Sequence, residues 1–171
     1  VRAEWRPRGK GDFILNLPST VERRAPIEYA DKIEYFCRKY SGMADTVISV
    51  HTHNDQGCGI AAAELAVLAG AKRVEGTLAG HGERTGNMDL ITFALNLKSR
   101  GVETALDFSR LPEIAAFIEE VSEIKISPRT PYTGELVFTA FSGTHQDAIR
   151  KGMARRQKIS DRFRQGWKMP Y

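Results

Sequence analysis

The chain contains 171 residues, of which 42% are hydrophobic and 27% charged, so its composition is that of a globular protein and excludes a low-complexity segment. The formal net charge of +4 comes from basic residues dispersed along the sequence, which supports only weak attraction to anionic ligands. Cys37 and Cys58 lack the paired spacing of a disulfide framework or a zinc-cysteine site, no apolar run is long enough for a membrane span, and the first residues lack a signal peptide's apolar core. We therefore expect a cytoplasmic protein, with an organellar location left open because the sequence does not begin with Met.

Strand and helix patterns alternate three times in the first part of the chain. In chain order, these elements are expected at residues 13–17, 26–40, 46–50, 59–69, 73–78 and 90–97. We expect Pro18 to end the first strand, because proline cannot donate to a central sheet ladder. The alternation predicts an α/β fold with parallel strands and right-handed crossovers.

The pattern changes after the third helix. An amphipathic helix is expected to begin at Leu111, and Ser142 is expected to cap a further helix. Residues 151–168 are basic but contain few aromatic residues, so the solvated face of a helix explains the charge better than a nucleic-acid interface. We expect two domains, at residues 1–105 and 106–171, of which the second is mainly helical.

Polar residues with metal-binding chemistry follow two of the predicted strands. His51 and His53 come directly after residues 46–50, and Asn87 lies in the Gly-spaced loop after residues 73–78. Side chains at i and i+2 of a strand point to the same side, so two imidazoles can share one metal ion, and Asn87 can add an oxygen. A single His-x-His motif is a weak signal, and ordinary hydrogen-bonded histidines are commoner. The position at the carboxyl ends of parallel strands, where α/β folds carry their chemistry, favours the metal site.

Several sequence motifs resemble those of the α-isopropylmalate/homocitrate synthase family, and they occur in the same order as in that family. They are the His-Thr-His-Asn-Asp box and residues 14–22, 73–78, 82–87, 138–147 and 169–171. The resemblance implies that residues 1–105 form the last three strand-helix units of a (β/α)8 TIM barrel and that residues 106–171 form a linker subdomain. It also implies an acyltransferase that condenses acetyl-CoA with 2-oxoisovalerate to give 2-isopropylmalate and CoA in leucine biosynthesis, as a homodimer.

Three residues match the metal ligands of the family. The resemblance implies that His51, His53 and Asn87 hold a divalent ion, which could be Zn, Mg or Mn. The family's remaining ligand is an Asp of an earlier barrel strand that this sequence does not contain. We therefore expect the chain to be part of a longer enzyme and to be inactive by itself. Thr52 and His81 depart from many relatives, which have Pro and Asn there, and His81 could compete as a ligand.

Four further residues match catalytic or substrate-binding positions. Thr20 matches a residue that holds the carboxylate of the 2-oxo acid. Glu83 matches a carboxylate beside the metal, where it would orient a ligand. His145 and Tyr171 match catalytic residues of the linker subdomain that enter the active site of the partner subunit. Without the resemblance, His145 would be interpreted as part of a helix cap and Tyr171 as a frayed end.

Three alternatives stay open on sequence alone. A related synthase that makes homocitrate or citramalate would use a different 2-oxo acid with the same motifs. A metal-dependent hydrolase with a barrel fold would also use His-x-His, but it needs further His or Asp ligands at later strand ends. A nucleic-acid-binding module would need a clustered Lys and Arg face, and salt-dependent DNA binding would test it.

Overall fold

The computed structural model of the chain describes Glu4, Gly9, residues 11–40 and residues 45–163. For residue 138 and residues 156–163 it describes the backbone alone. The strands are β1 (Phe13–Ser19), β2 (Thr46–Thr52) and β3 (Arg73–Glu75). The helices are α1 (Pro26–Tyr40), α2 (Gly59–Leu68), α3 (Leu90–Ser99), α4 (Leu111–Ser122) and α5 (Gly143–Phe163), with short 3-10 turns at Leu78–Gly80 and Glu135–Phe138. The chain divides into two compact units, Val1–Leu97 and Lys98–Tyr171. The domain boundary that the sequence predicts, after residue 105, stays a prediction.

The first unit contains a three-stranded parallel sheet in the order β1, β2, β3. Strand β2 is central, and Ile48, Ser49 and Val50 are each 5% exposed or less, as expected for a parallel strand that is covered on both faces. The predicted strand-helix alternation and the parallel pairing are therefore both present. Because the strands run in one direction, their carboxyl ends share one edge of the sheet.

One apolar core joins this sheet to helices α1 and α2. Tyr29 and Ile33 of α1 pack in the same cluster as Ile48 and Val50 of β2 and the small residues of α2, Ala62 and Ala66. The small alanine side chains let α2 approach the sheet closely. Burying such apolar surface contributes roughly 25 cal/mol per Å², so this cluster holds the strands in register.

A second cluster fixes the chain that follows β3. Met88 and Ala63 are fully buried, and Phe93 of α3 packs against both of them. Met88 follows Asn87 directly, so its burial also anchors the loop that carries this candidate ligand. The core of the first unit therefore holds both loops of the predicted site.

Two strand boundaries differ from those expected. Strand β1 continues through Pro18 to Ser19, and Pro18 pairs with His51. Among the described strands β1 pairs with β2 alone, so the missing N–H costs no ladder hydrogen bond in this sheet. Strand β3 ends at Glu75 rather than near residue 78, and a 3-10 turn with Ala79 at φ 55° follows.

The second unit is helical in its described part. Pro112 occupies the first turn of α4, where a missing N–H is tolerated, and Glu123 ends the helix at φ 56°. The Ser142 hydroxyl accepts the backbone N–H of His145 at 3.2 Å, which is the predicted cap of α5. In the part of the chain that the structure describes, no helix is long and apolar enough to cross a membrane.

Candidate functional site

The two histidines of the predicted metal site lie at the carboxyl end of the central strand. His51 is in β2, and His53 forms an antiparallel bridge with Asn87 just beyond it. The two imidazole rings have centroids 5.1 Å apart and are inclined by 63°. The structure therefore brings the rings together on one side of the chain, beside the backbone of Asn87. Their role as metal ligands stays a prediction.

The surroundings of His53 favour its neutral form. Burial lowers the pKa of His53, and the nearby His51 and Arg84 lower it further. Only the neutral imidazole has the lone pair that binds a metal ion. The neutral ring therefore keeps one nitrogen lone pair available to a ligand.

Glu75 orients His51 from the neighbouring strand. The β2 to β3 register places Glu75 opposite His51, and its Oε2 lies 3.5 Å from His51 Nδ1. Glu75 is itself held by Arg73 and by the Asn16 side chain, which donates to Oε2 at 3.0 Å. A carboxylate on one ring nitrogen leaves the other nitrogen directed elsewhere, which is how metal-binding histidines are commonly oriented.

A buried acceptor at the site has no protein partner. Among the described residues, Asn87 Oδ1 is buried without a hydrogen bond, and so is His81 Nδ1 in the same loop. Leaving a buried polar atom unpaired is costly, so such an atom requires an explanation. A divalent metal ion fits this donor set, because two imidazole nitrogens and an amide oxygen are suitable ligands. Within the described part of the chain, no group of three or more His, Cys, Asp or Glu side chains could hold a metal, so the set depends on the amide.

Close backbone approaches hold these loops in place. A Cβ atom at Gly59 would meet the His53 carbonyl oxygen, so only glycine lets α2 begin directly behind the histidine. Gly86, at φ 93°, would collide in the same way with the Gly80 carbonyl. Thr52, where many relatives were expected to have Pro, is fully buried and donates its hydroxyl to the Gly59 carbonyl at 2.8 Å.

The remaining predicted site residues are distributed over both units. Thr20 is exposed in the turn after β1. The Glu83 side chain is 84% exposed and lies 3.5 Å from Arg84, so the structure shows it on the surface of the loop. His145 is exposed on α5 in the second unit, and Tyr171 lies outside the described residues. Their catalytic and binding roles stay predictions.

Four functional candidates were not found from the sequence. Glu75, Glu22, Asp55 and Arg84 all contact the loops of the site. Each lies in one of the boxes that carry the family resemblance, which was the one available signal. Apart from the pairs Glu75 with Arg73 and Arg84 with Glu83, their side-chain partners are 24 or more residues away, so local spacing could not reveal these contacts.

Comparison with known protein families covers most of the chain. Residues 7–118 match the HMGL-like family, and residues 135–171 match the family described as "Alpha-isopropylmalate synthase, post-catalytic domain-like". The HMGL-like match spans more than half of the sequence. The chain therefore belongs to the HMGL-like family.

Curated relatives give a consistent name. The chain is 56% identical over 158 residues to the 2-isopropylmalate synthase of Alcanivorax borkumensis, a match that covers 92% of this chain and 28% of that protein. It is 52% identical over 167 residues to the enzyme of Pseudomonas entomophila, covering 98% of this chain and 29% of the relative. It is 50% identical to "2-isopropylmalate synthase 2, mitochondrial" of Saccharomyces cerevisiae, covering 100% of this chain and 28% of the relative. The chain thus spans less than a third of the length of these relatives.

Solved structures support the fold. An HMG-CoA lyase from Acinetobacter baumannii in complex with coenzyme A and 3-methylmalate superposes with a TM-score of 0.60 at 17% identity, covering 74% of this chain and 43% of that chain. The HMG-CoA lyase of Bacillus subtilis gives 0.57 at 21% identity, covering 67% of this chain and 40% of that one. The predicted α/β class, with the chain forming part of a barrel, is confirmed by these matches together with the parallel sheet.

Proposed function

We propose that the complete protein carrying this chain is a 2-isopropylmalate synthase, which condenses acetyl-CoA with 2-oxoisovalerate. The observation that carries the proposal is the group of His51, His53 and the unpartnered Asn87 Oδ1 at the carboxyl ends of parallel strands. The names of relatives that are 50% to 56% identical support the same reaction. The cytoplasmic or organellar location and the homodimer belong to this proposal as well.

The reaction requires one carbon-carbon bond to form and one thioester bond to break. A base removes a proton from the acetyl methyl group, and the methyl carbon attacks the keto carbon of 2-oxoisovalerate. The keto oxygen takes up a proton, and water then cleaves the carbon-sulfur bond, which releases CoA as a thiol and leaves a carboxylate. A divalent metal held at the site would supply Lewis-acid polarisation of the keto acid.

The residues of this chain have distinct tasks in the proposal. His51, His53 and Asn87 hold the metal, and Glu75 orients the ring of His51. Thr20 donates its hydroxyl to the carboxylate of the 2-oxo acid. Glu83 orients a group beside the metal.

The proton transfers are assigned to two residues of the second unit. His145 and Tyr171 supply them to the active site of a partner subunit. A histidine suits this task because its pKa lies near neutrality.

Thiol release in the complete protein tests the proposal. We expect acetyl-CoA to release thiol only when 2-oxoisovalerate is present. Replacing it with 2-oxoglutarate or pyruvate distinguishes the proposed enzyme from a homocitrate or citramalate synthase, which would release thiol with one of these acids instead. Chelation of divalent ions should abolish the release, and added Mn²⁺, Mg²⁺ or Zn²⁺ should restore it. Thiol release that is independent of any 2-oxo acid, or that is unaffected by the chelator, would contradict the proposed reaction.

A further inference from the structure

Two charged side chains tie the turn that carries Thr20 to the histidine segment. We call residues 20–25 the Thr20 turn and residues 51–58 the histidine segment. The Thr20 turn is a surface connection, and both Thr20 and Val21 are exposed in it. Apolar packing at its tip therefore does not fix its position, so polar contacts must do so.

Glu22 is the first of these ties. It is only 2% exposed, although it carries a carboxylate, and its backbone adopts φ 43°, which non-glycine residues rarely do. Its Oε1 accepts the backbone N–H of Cys58 at 2.8 Å, and its Oε2 accepts the N–H of Gln56. A buried carboxylate is stable only when its oxygens are satisfied, so the turn and the histidine segment must move together.

Arg84 is the second tie, and it reaches the same turn from the loop at residues 80–87. Its guanidinium donates to both oxygens of Asp55, at 2.8 and 3.1 Å, and to the backbone carbonyl of Thr20 at 2.5 Å. It also lies 3.2 Å from Nδ1 of His53. One planar group thus contacts the Thr20 turn and the histidine segment at once, which a lysine ammonium could not do with the same geometry.

We propose that Glu22 and Arg84 are positioning residues, which set the distance between the Thr20 hydroxyl and the two imidazoles. The inference rests on the proposed function, in which a 2-oxo acid is recognised at both places. Its carboxylate needs Thr20, and its keto group needs the residues at the histidine pair. A change in their separation therefore weakens binding of the 2-oxo acid, while acetyl-CoA, which is not held by Thr20, is bound as before.

The test uses Glu22→Gln and Arg84→Lys in the complete protein, with steady-state kinetics for each substrate. Gln keeps the size of Glu22 but places an NH2 group against the N–H of Gln56 or of Cys58, so one of the two hydrogen bonds is lost. We expect KM for 2-oxoisovalerate to rise about tenfold as a result. Arg84→Lys keeps the charge but loses the planar guanidinium with its several N–H donors, and we expect KM for 2-oxoisovalerate to rise by about the same factor. In both variants KM for acetyl-CoA should stay within about twofold of its value in the unaltered protein.

A double variant and a matched control make the test specific. Because both residues hold one turn, the combined rise in KM should be smaller than the product of the two single rises. Glu34→Gln and Arg38→Lys alter an exposed ion pair on α1 and should leave both KM values unchanged. Amide hydrogen exchange at Gln56 and Cys58 should become faster in Glu22→Gln, which measures the loss of the tie without any catalysis.

The outcomes separate this inference from the proposed function. No condensation by the unaltered protein would refute the proposed function, and the inference with it. An active protein in which Glu22→Gln loses stability, while the ratio of the two KM values stays constant, would show that Glu22 only stabilises the fold and would overturn the inference. If Glu22→Gln does not fold, Arg84→Lys at its half-exposed position decides by the same ratio.

Discussion

The substitution Asn87→Ala distinguishes a metal ligand from a structural asparagine. In the absence of metal, the unpartnered Oδ1 of Asn87 imposes a cost of about 1–3 kcal/mol, which truncation removes. Truncation also removes half-buried packing worth about 1 kcal/mol, so the two terms roughly cancel. We therefore expect the metal-free variant to melt within about 4 °C of the unaltered protein.

The effect on metal binding should be larger. Loss of even an outer partner of a metal ligand weakens affinity by roughly 10-fold to 100-fold, so loss of a ligand should cost at least about tenfold. At a Mn²⁺ concentration of 100 times Kd, binding stabilises the folded protein by about 2.7 kcal/mol, and a tenfold weaker Kd reduces this to about 1.4 kcal/mol. The rise in melting temperature on adding Mn²⁺ should therefore fall to about half in Asn87→Ala.

The assay compares melting temperatures with Mn²⁺ and with a chelator, and measures Kd by calorimetry. Asn96→Ala is the control. Asn96 lies on α3, donates to the Glu64 side chain of α2 at 2.8 Å and has no role in the proposed site. It should lower the metal-free melting temperature and leave the Mn²⁺ increment unchanged. A variant at Asn87 that loses stability without metal but keeps the full increment would refute the ligand assignment.

Three further predictions concern catalysis, the core and the isolated chain. His51→Ala in the complete protein should abolish thiol release, because a metal ligand is lost. Burial raises the pKa of the Cys37 thiol, and Cys37→Ala should lower the melting temperature through lost packing while leaving turnover largely intact. Turnover and melting temperature measured on both variants separate the two roles. Burial raises the pKa of Tyr29 above its ordinary value of 10.0, so the stability from burying the neutral phenol, which donates to the Leu17 carbonyl, is fully present below pH 10 and is lost progressively as pH rises above 10. Urea unfolding from pH 8 to 11 should show this loss in the unaltered protein and not in Tyr29→Phe. The 171-residue polypeptide by itself should show no condensation, since its three described strands do not close a barrel; robust thiol release from it would contradict this.

Much of the fold could be predicted from local sequence patterns. The start of α1 at Pro26, the cap at Ser142 and the alternation of strands and helices follow from side-chain periodicity and capping chemistry, which act over a few residues. The common direction of the His51 and His53 side chains follows from the two-residue period of a strand. These features need no knowledge of the rest of the chain, because neighbouring residues alone determine them.

The contacts that complete the candidate site depend on tertiary structure. Glu75 lies beside His51 because of the β2 to β3 register, and a shift by one residue would turn it to the other face. Arg84 contacts Asp55, 29 positions earlier, and Glu22 contacts Gln56, 34 positions later, through backbone conformations at positive φ. Such pairings are set by packing of Met88 and α2 against the sheet, which brings distant loops together. The sequence therefore predicts the residues that are proposed to carry the chemistry, and only the packed sheet decided which side chains contact and orient one another.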